Sequence, residues 1–304
     1  MTSRRSLLQS CLAGLAAPTE RSRVVIARDA AVRQSPGRLA ALLDRAVQAY
    51  FDRDSAAEAW KLVARPGETV GLKVNCLAGR GGSTSVALVD AVVERLRAAG
   101  IRQIVVWDRL NQDLESAGFR LARRDGARVA GNDTLGYEDD LAVYGSAGSL
   151  VARALTRTCD AVINLPVLKD HGIAGVTMAL KNLFGAIHNP NKYHLNAGDP
   201  YVADVYMLPP IRQKVRLAIC DALTPQYEGG PSFMPQWNWP YHGLMVARDP
   251  VALDYTGWQI IERQRAARGH KPLAALGREP KYIATAAGHG IGTNDPRRIE
   301  VREV

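Results

Sequence analysis

Three features of the 304-residue sequence predict an α/β protein with a mostly parallel sheet and helices on both faces. Short apolar, β-rich runs alternate with amphipathic helical stretches, turn residues separate them, and the pattern resumes in the second half. The length suits one large domain from residue 18 to 304, or two closely packed lobes over 18–150 and 151–304.

Taken in order, Arg23 to Arg28 reads as a first strand. Ser35-Pro36-Gly37 opens a helix from Arg38 to Phe51, with Leu39, Leu42, Leu43, Ala46 and Val47 at helical spacing. A second strand, Thr69 to Cys76, follows the Pro66-Gly67 turn. After the loop Gly79 to Ser83 comes a helix from Val86 to Ala99, ended by Gly100. The strand Ile104 to Trp107 leaves Asp108 at its carboxyl end. Ligands of such sheets gather beyond the strands' carboxyl ends, where Lys73, Asn75 and Asp108 fall.

Residues 109–150 predict a helix around Leu114 to Leu121, a strand at Arg128 to Ala130 and a Gly/Asp-rich surface stretch. A helix is expected from Leu150 to just before Cys159, then a buried strand, Ala161 to Leu165, stopped by Pro166. Further on come a helix over Tyr201 to Leu208, stopped at Pro209-Pro210, and a strand from Arg216 to Cys220 that ends in Asp221. Glu228 to Pro231 makes a turn. The aperiodic segment holding Trp237, Trp239 and Tyr241 reads as an aromatic lid or a packed loop. Leu244 to Ala247 is a strand, and Asp249-Pro250 caps a helix running to about Arg268. Glu279 to Ala287 reads as helical and Arg298 to Val304 as an edge strand.

The formal charge is +9, or +7 without Arg4 and Arg5. No basic run, zinc finger or stacking-aromatic motif accompanies it, so it reads as an arginine-rich solvated surface and not as a nucleic-acid interface. Such a surface steers small anions. The four cysteines lie far apart with no CxxC pair, which argues against a zinc ribbon or a local iron–sulfur motif. Ser3-Arg4-Arg5-Ser6-Leu7-Leu8 resembles a twin-arginine export signal over residues 1–17. The following apolar run is too short to span a membrane. Export to the periplasm or beyond, with the twin-arginine machinery as partner, is the expectation; a cytoplasmic N-terminal helix is the alternative.

One stretch, Asn164 to Asn196, stands apart chemically. It holds three of the six histidines and three of the eight lysines, while no arginine falls between Arg157 and Arg212. The chain switches there from guanidinium to an amine whose pKa can be lowered and which can act as base, nucleophile or tether. A Lys169-Asp170-His171 turn is expected at the sheet end, with Asp170 orienting the imidazole. Val176 to Phe184 should form a helix capped by Gly185, its start an anion site. Thr177, Lys181 and Phe184 would share one helix face.

The site expected from these residues has His171 as general acid/base, Lys181 as tether or electrophile and Lys169 beside them as an anion holder. Lys73, Asn75, Asp108, Asn164 and Asn182 are expected to bind ligand, a small anion. His188 and His194 with Asp221 fit a divalent metal. A binding module without turnover and a purely structural site, with Lys181 paired to Asp221, Asp249 or Asp254, are the other readings.

These residues carry a family resemblance. Gly71-Leu72-Lys73-Val74-Asn75, Ile163 through His171, Gly175-Val176-Thr177, Ala179 through Gly185, Asp221-Ala222, Glu228 through Pro231 and Asp249 through Asp254 resemble the family catalogued as domain of unknown function 362. The resemblance covers nearly everything after the leader and names no reaction. It implies export for many members and, for some, an added ferredoxin-like segment whose cysteines this chain lacks. A second similarity is to the nickel-pincer lactate racemases: His171, Ala174-Gly175 and Lys181 keep that family's ten-residue interval from histidine to cofactor-tethering lysine. It implies a metal-containing cofactor held by Lys181, proton exchange at His171, and His188 or His194 as a later ligand. The racemases' second catalytic histidine has no counterpart, since no histidine precedes His171.

Overall fold

Helix starts follow local chemistry. Ser35 and Ser85 accept N–H bonds from Arg38 and Leu88, and Asp249 accepts from Val251 and Ala252, so three of the main helices begin where the sequence supplies a cap. The computed structural model describes residues 21–124 and 127–304. The twin-arginine-like leader lies outside the described residues.

The first half runs β1 (Ser22–Arg28), α1 (Pro36–Phe51), α2 (Ala56–Lys61), β2 (Thr69–Lys73), α3 (Val86–Ala98), β3 (Gln103–Asp108), α4 (Asn111–Ala117), β4 (Arg123–Arg124), β5 (Ala127–Gly131), α5 (Asn132–Leu135), β6 (Tyr137–Tyr144) and β7 (Ala147–Ala152). The second runs β8 (Ala161–Asn164), β9 (Val167–His171), β10 (Gly175–Thr177), α6 (Ala179–Asn182), α7 (Tyr201–Met207), α8 (Pro209–Lys214), β11 (Val215–Gln226), β12 (Gly243–Ala247), α9 (Pro250–Ala267), α10 (Tyr282–Gly288) and β13 (Ile299–Glu303).

The main sheet has the order β13-β1-β12-β11-β8-β2-β3-β5-β4, with β9 beside β11 and β10 beside β9. The central pairs β11/β8, β8/β2, β2/β3 and β3/β5 are parallel, as the alternation of elements predicts. β1 sits between β12 and β13, so the two halves of the chain share one sheet.

Apolar clusters fill both faces. Along β8, Val162 joins the cluster under α6, α7, α9 and α10, while Ile163 joins the one under α1, α2 and α3. Leu42, Trp60, Leu88 and Leu96 are buried in the latter, and Leu253 and Tyr282 in the former. Each such side chain withdrawn from water contributes about 1.5–3 kcal/mol. Among the described residues no helix is long and apolar enough to cross a membrane.

Several expectations need correction. The helix expected from Leu150 is strand β7, paired with β6 in a separate hairpin and followed by a π-helical turn over Ala154–Thr158. α4 begins earlier than expected, at Asn111, and also ends earlier, because Gly118, at φ 102°, stops it before Phe119. Pro209 and Pro210 do not only end α7; they occupy the first turn of α8, where a missing N–H costs nothing. The aromatic segment is no lid over the Asn164–Asn196 stretch: Trp237 and Trp239 pack edge-on against Tyr227, with ring centroids 5.8 and 5.9 Å apart.

Candidate functional site

Three neighbouring strands end at one level. The parallel register pairs Lys73 with both Trp107 and Asn164, so the side chains after those positions meet at the carboxyl edge. Lys73 Nζ donates to Asp108 Oδ1 at 2.8 Å, to the Val74 carbonyl at 2.5 Å and to Asn182 Oδ1 at 3.3 Å. The other Asp108 oxygen accepts from the Cys76 N–H at 2.7 Å. Asn75 also donates to Asn182 Oδ1, Asn182 donates to Asn164 Oδ1, and Asn164 donates to the Ala179 carbonyl. Lys73 is 1% exposed, so its charge is neutralised inside this network and its geometry is fixed. Gly185 is required by closeness and not as a left-handed cap. A Cβ there would lie 2.6 Å from Asp108 Oδ1 and 2.7 Å from Lys73 Nζ.

Beyond β8 the chain does not turn at Lys169 as expected. Lys169, Asp170 and His171 continue as β9, and the hairpin pairs them with Thr177, Val176 and Gly175. Alternation along the strand sends Lys169 and His171 to one side and Asp170 to the other. Asp170 therefore does not orient the imidazole. Its Oδ1 accepts from the Gly230 N–H at 2.8 Å and its Oδ2 faces Arg278 at 3.4 Å, while burial pushes its carboxyl up to about 6.

The backbone orients His171 instead. The Ile173 and Ala174 N–H groups both donate to His171 Nδ1 at 3.1 Å. A ring nitrogen receiving two donors is the acceptor, which places the neutral ring's proton on Nε2. Burial, reinforced by the charge of Lys181, lowers the imidazole to about 2, so the ring is neutral. It presents an N–H to its surroundings and not a basic lone pair. Lys169 donates to the Gly82 carbonyl at 3.0 Å and the Pro231 carbonyl at 3.4 Å, tying the glycine loop to the Glu228–Pro231 turn. Burial lowers its amine to about 8.

The expected helix from Val176 is shorter, because Val176 and Thr177 are strand and Met178 is extended. The N-terminus of α6 is no free anion site. The Asp254 carboxylate from α9 accepts the Ala179 and Leu180 N–H groups at 2.7 and 3.0 Å. Both Asp254 oxygens are taken by these N–H groups, and the residue does not pair with the Lys181 amine; burial pushes its carboxyl up to about 8.

Lys181 Nζ donates to His194 Nε2 at 2.9 Å and lies 4.4 Å from the centre of the Phe184 ring. His194 Nδ1 in turn donates to the Asn191 carbonyl at 3.2 Å, and its ring stacks on that of His171 at 5.4 Å. Among the described residues no carboxylate pairs with Lys181. Burial, with Lys169's charge behind it, lowers the amine to about 7. Burial also lowers the His194 imidazole.

Lys181, His171, His194, Thr177, Phe184 and Arg109 line one cavity of about 500 Å³, with Lys73, Asp108 and Asn182 also on its wall. Thr177 Oγ1 is buried there without a hydrogen-bond partner among the described residues. Leu77 and Ile173, 57% and 51% exposed, form an apolar rim. Of the expected ligand-binding residues, Asn75 and Asn164 stand behind this wall, and so does Lys169. Arg109, beside Asp113 at 3.9 Å, was not expected, although its place after Asp108 at a strand end is a legible signal.

The expected metal set does not assemble. His188 is exposed and packs edge-on against Tyr137 at 5.2 Å. Asp221 lies at a different cavity, where it accepts the Ser85 and Leu223 N–H groups. Only His194 of the three faces the lysine. Among the described residues no three His, Cys, Asp or Glu side chains come together as a metal site.

The motifs around this cavity have a counterpart among known families. The model of the domain of unknown function DUF362 matches residues 70–259, which contain every strand end and the hairpin just described. The chain belongs to the DUF362 family. No curated protein matches it. Among solved structures it is similar to the crystal structure of a protein from Thermotoga maritima, at 8% identity and a TM-score of 0.48. That match covers 78% of this chain and 59% of the other, so the chain spans less than two thirds of that protein's length. The DUF362 cavity thus comes with a family and without a reaction.

Proposed function

We propose that the cavity binds a small anionic molecule, a carboxylate above all, with Lys181 as its counter-charge. The observation that carries this reading is an amine inside a cavity that, among the described residues, is paired with no carboxylate, the wall's Asp108 and Asp113 lying beside Lys73 and Arg109. A buried ammonium demands a compensating charge or loses its proton. Formal charges on the wall favour the same ligand: Lys73, Arg109 and Lys181 face Asp108 and Asp113, one positive charge in excess. His171 Nε2–H and Thr177 Oγ1 supply further hydrogen bonds to an oxyanion, and Leu77 and Ile173 accommodate an apolar substituent. Calorimetric titration of the full chain and of a Lys181→Met variant with phenyllactate tests the reading.

A second reading, a metal-containing cofactor tethered by Lys181, draws support from the placement of His171 and Lys181 on one cavity wall. Two hydrogen-bond arrangements weigh against it. Both ring nitrogens of His194 are engaged, and His171 offers a proton where a ligand or base needs a lone pair. Export rests on residues 1–17 alone and is proposed on that basis.

A further inference from the structure

We propose that Lys181 forms an imine with 2-oxo acids carrying an apolar side chain. The proposal rests on the anion-binding reading above and adds a covalent step to it. Three features of the cavity carry it. First, the Lys181 amine reaches the open space over the Phe184 ring and, among the described residues, is tied to no carboxylate, so no ion pair there must break before its lone pair is released. Second, His194 Nε2 sits 2.9 Å from that amine. The Asn191 carbonyl holds the Nδ1 proton, so Nε2 is the acceptor and the ring is aimed to relay protons. Third, His171 is a fixed N–H donor, suited to the oxygen of a carbonyl or carboxylate and unable to compete for the amine's proton. Burial also favours the neutral amine, holding Lys181 to about 7.

The step balances with groups already present. His194 takes one proton from the Lys181 ammonium, and the amine lone pair attacks the ketone carbon, forming the N–C bond as the carbonyl π pair moves to oxygen. Protonated His194 returns its proton to that oxygen, then removes a second proton from nitrogen to leave a carbinolamine. It finally protonates the hydroxyl, which departs as water while the nitrogen lone pair closes the C=N bond. One ammonium and one ketone become one iminium and one water, and no redox partner is needed. The carboxylate of the oxo acid compensates the iminium charge, and the Leu77–Ile173 rim receives the side chain.

The test incubates the full chain with phenylpyruvate or pyruvate, traps any iminium with cyanoborohydride, and maps the product by peptide mass. A single reduced adduct on the peptide carrying Lys181 is expected, with phenylpyruvate trapped faster than pyruvate. His194→Phe, which keeps a ring in place without the relay nitrogen, should slow trapping by about a hundredfold. Mapping of the unaltered chain decides the question even if a variant folds poorly. Adducts spread over surface lysines, or none at all, overturn the imine. If phenyllactate, which has no ketone, still binds while phenylpyruvate gives no adduct, the imine falls and anion binding stands. If neither binds, both fall.

Discussion

Burial lowers the Lys181 amine to about 7 in a cavity proposed to hold an anion, and the two bear on each other. A carboxylate binds best to the ammonium form. Its affinity for the chain should therefore fall as pH rises through about 7, and the dependence should flatten in Lys181→Met; a pH-independent affinity would contradict the role. Stability carries the same signature with the opposite slope. The folded chain binds the Lys181 proton less tightly than the unfolded one, so between about 7 and the ordinary lysine value of 10.5 unfolding takes up a proton. The Lys181 contribution to stability thus rises with pH across that window. At this scale the lysine–histidine clustering was legible in the sequence, because residue type alone shows the switch away from arginine. The roles were less so. His171 is oriented by the N–H groups of its own tight turn, and nothing in the letters Gly172-Ile173-Ala174 announces that both point at Nδ1.

Short elements place these groups, and α6 is the clearest case. A helix of four residues has little stability of its own, since nucleation consumes most of what its hydrogen bonds return. Asp254 compensates by accepting two of its N-terminal donors from inside the core. Asp254→Ala should leave both N–H groups buried and unpaired, at about 1–3 kcal/mol each, and displace Lys181 from the cavity. Asp254→Asn keeps one acceptor and should lose roughly half as much. Denaturant unfolding of the two variants distinguishes them, and equal, negligible losses would remove Asp254 from the account. The Asp249-Pro250 cap of α9, which carries Asp254, was readable from sequence; the reach of Asp254 across to α6 was not, because it joins residues 75 positions apart. The β6/β7 hairpin escaped for another reason. β6 is largely exposed, and β7, although mostly buried, reads Ala147-Gly148-Ser149-Leu150-Val151-Ala152, whose small residues give little apolar–polar alternation to mark a strand.

Across the whole molecule, parallel strands bring their carboxyl ends to one edge, and the cavity opens there. That much followed from the alternation of strands and helices. The order of the strands did not, since β8 inserts between β2 and β11 through contacts far apart in sequence. His194 and Asp221 line different cavities, and that separation undid the expected metal set. Mass analysis of the protein recovered from its native host addresses the remaining proposals together. Removal of the leader is expected, with an unmodified Lys181; an intact leader would count against export, and a covalent group on Lys181 would favour the tethered-cofactor reading over simple anion binding.

The central claim is that Lys181 makes this cavity a site for small carboxylates. Calorimetric titration with phenyllactate tests it most directly, using the full chain and Lys181→Met at one pH below 7. The account predicts saturable binding to the parent chain and an affinity at least about tenfold weaker in the variant, the loss expected for one hydrogen bond to a charged group. Equal affinity in the two proteins, or no binding to either, would contradict it.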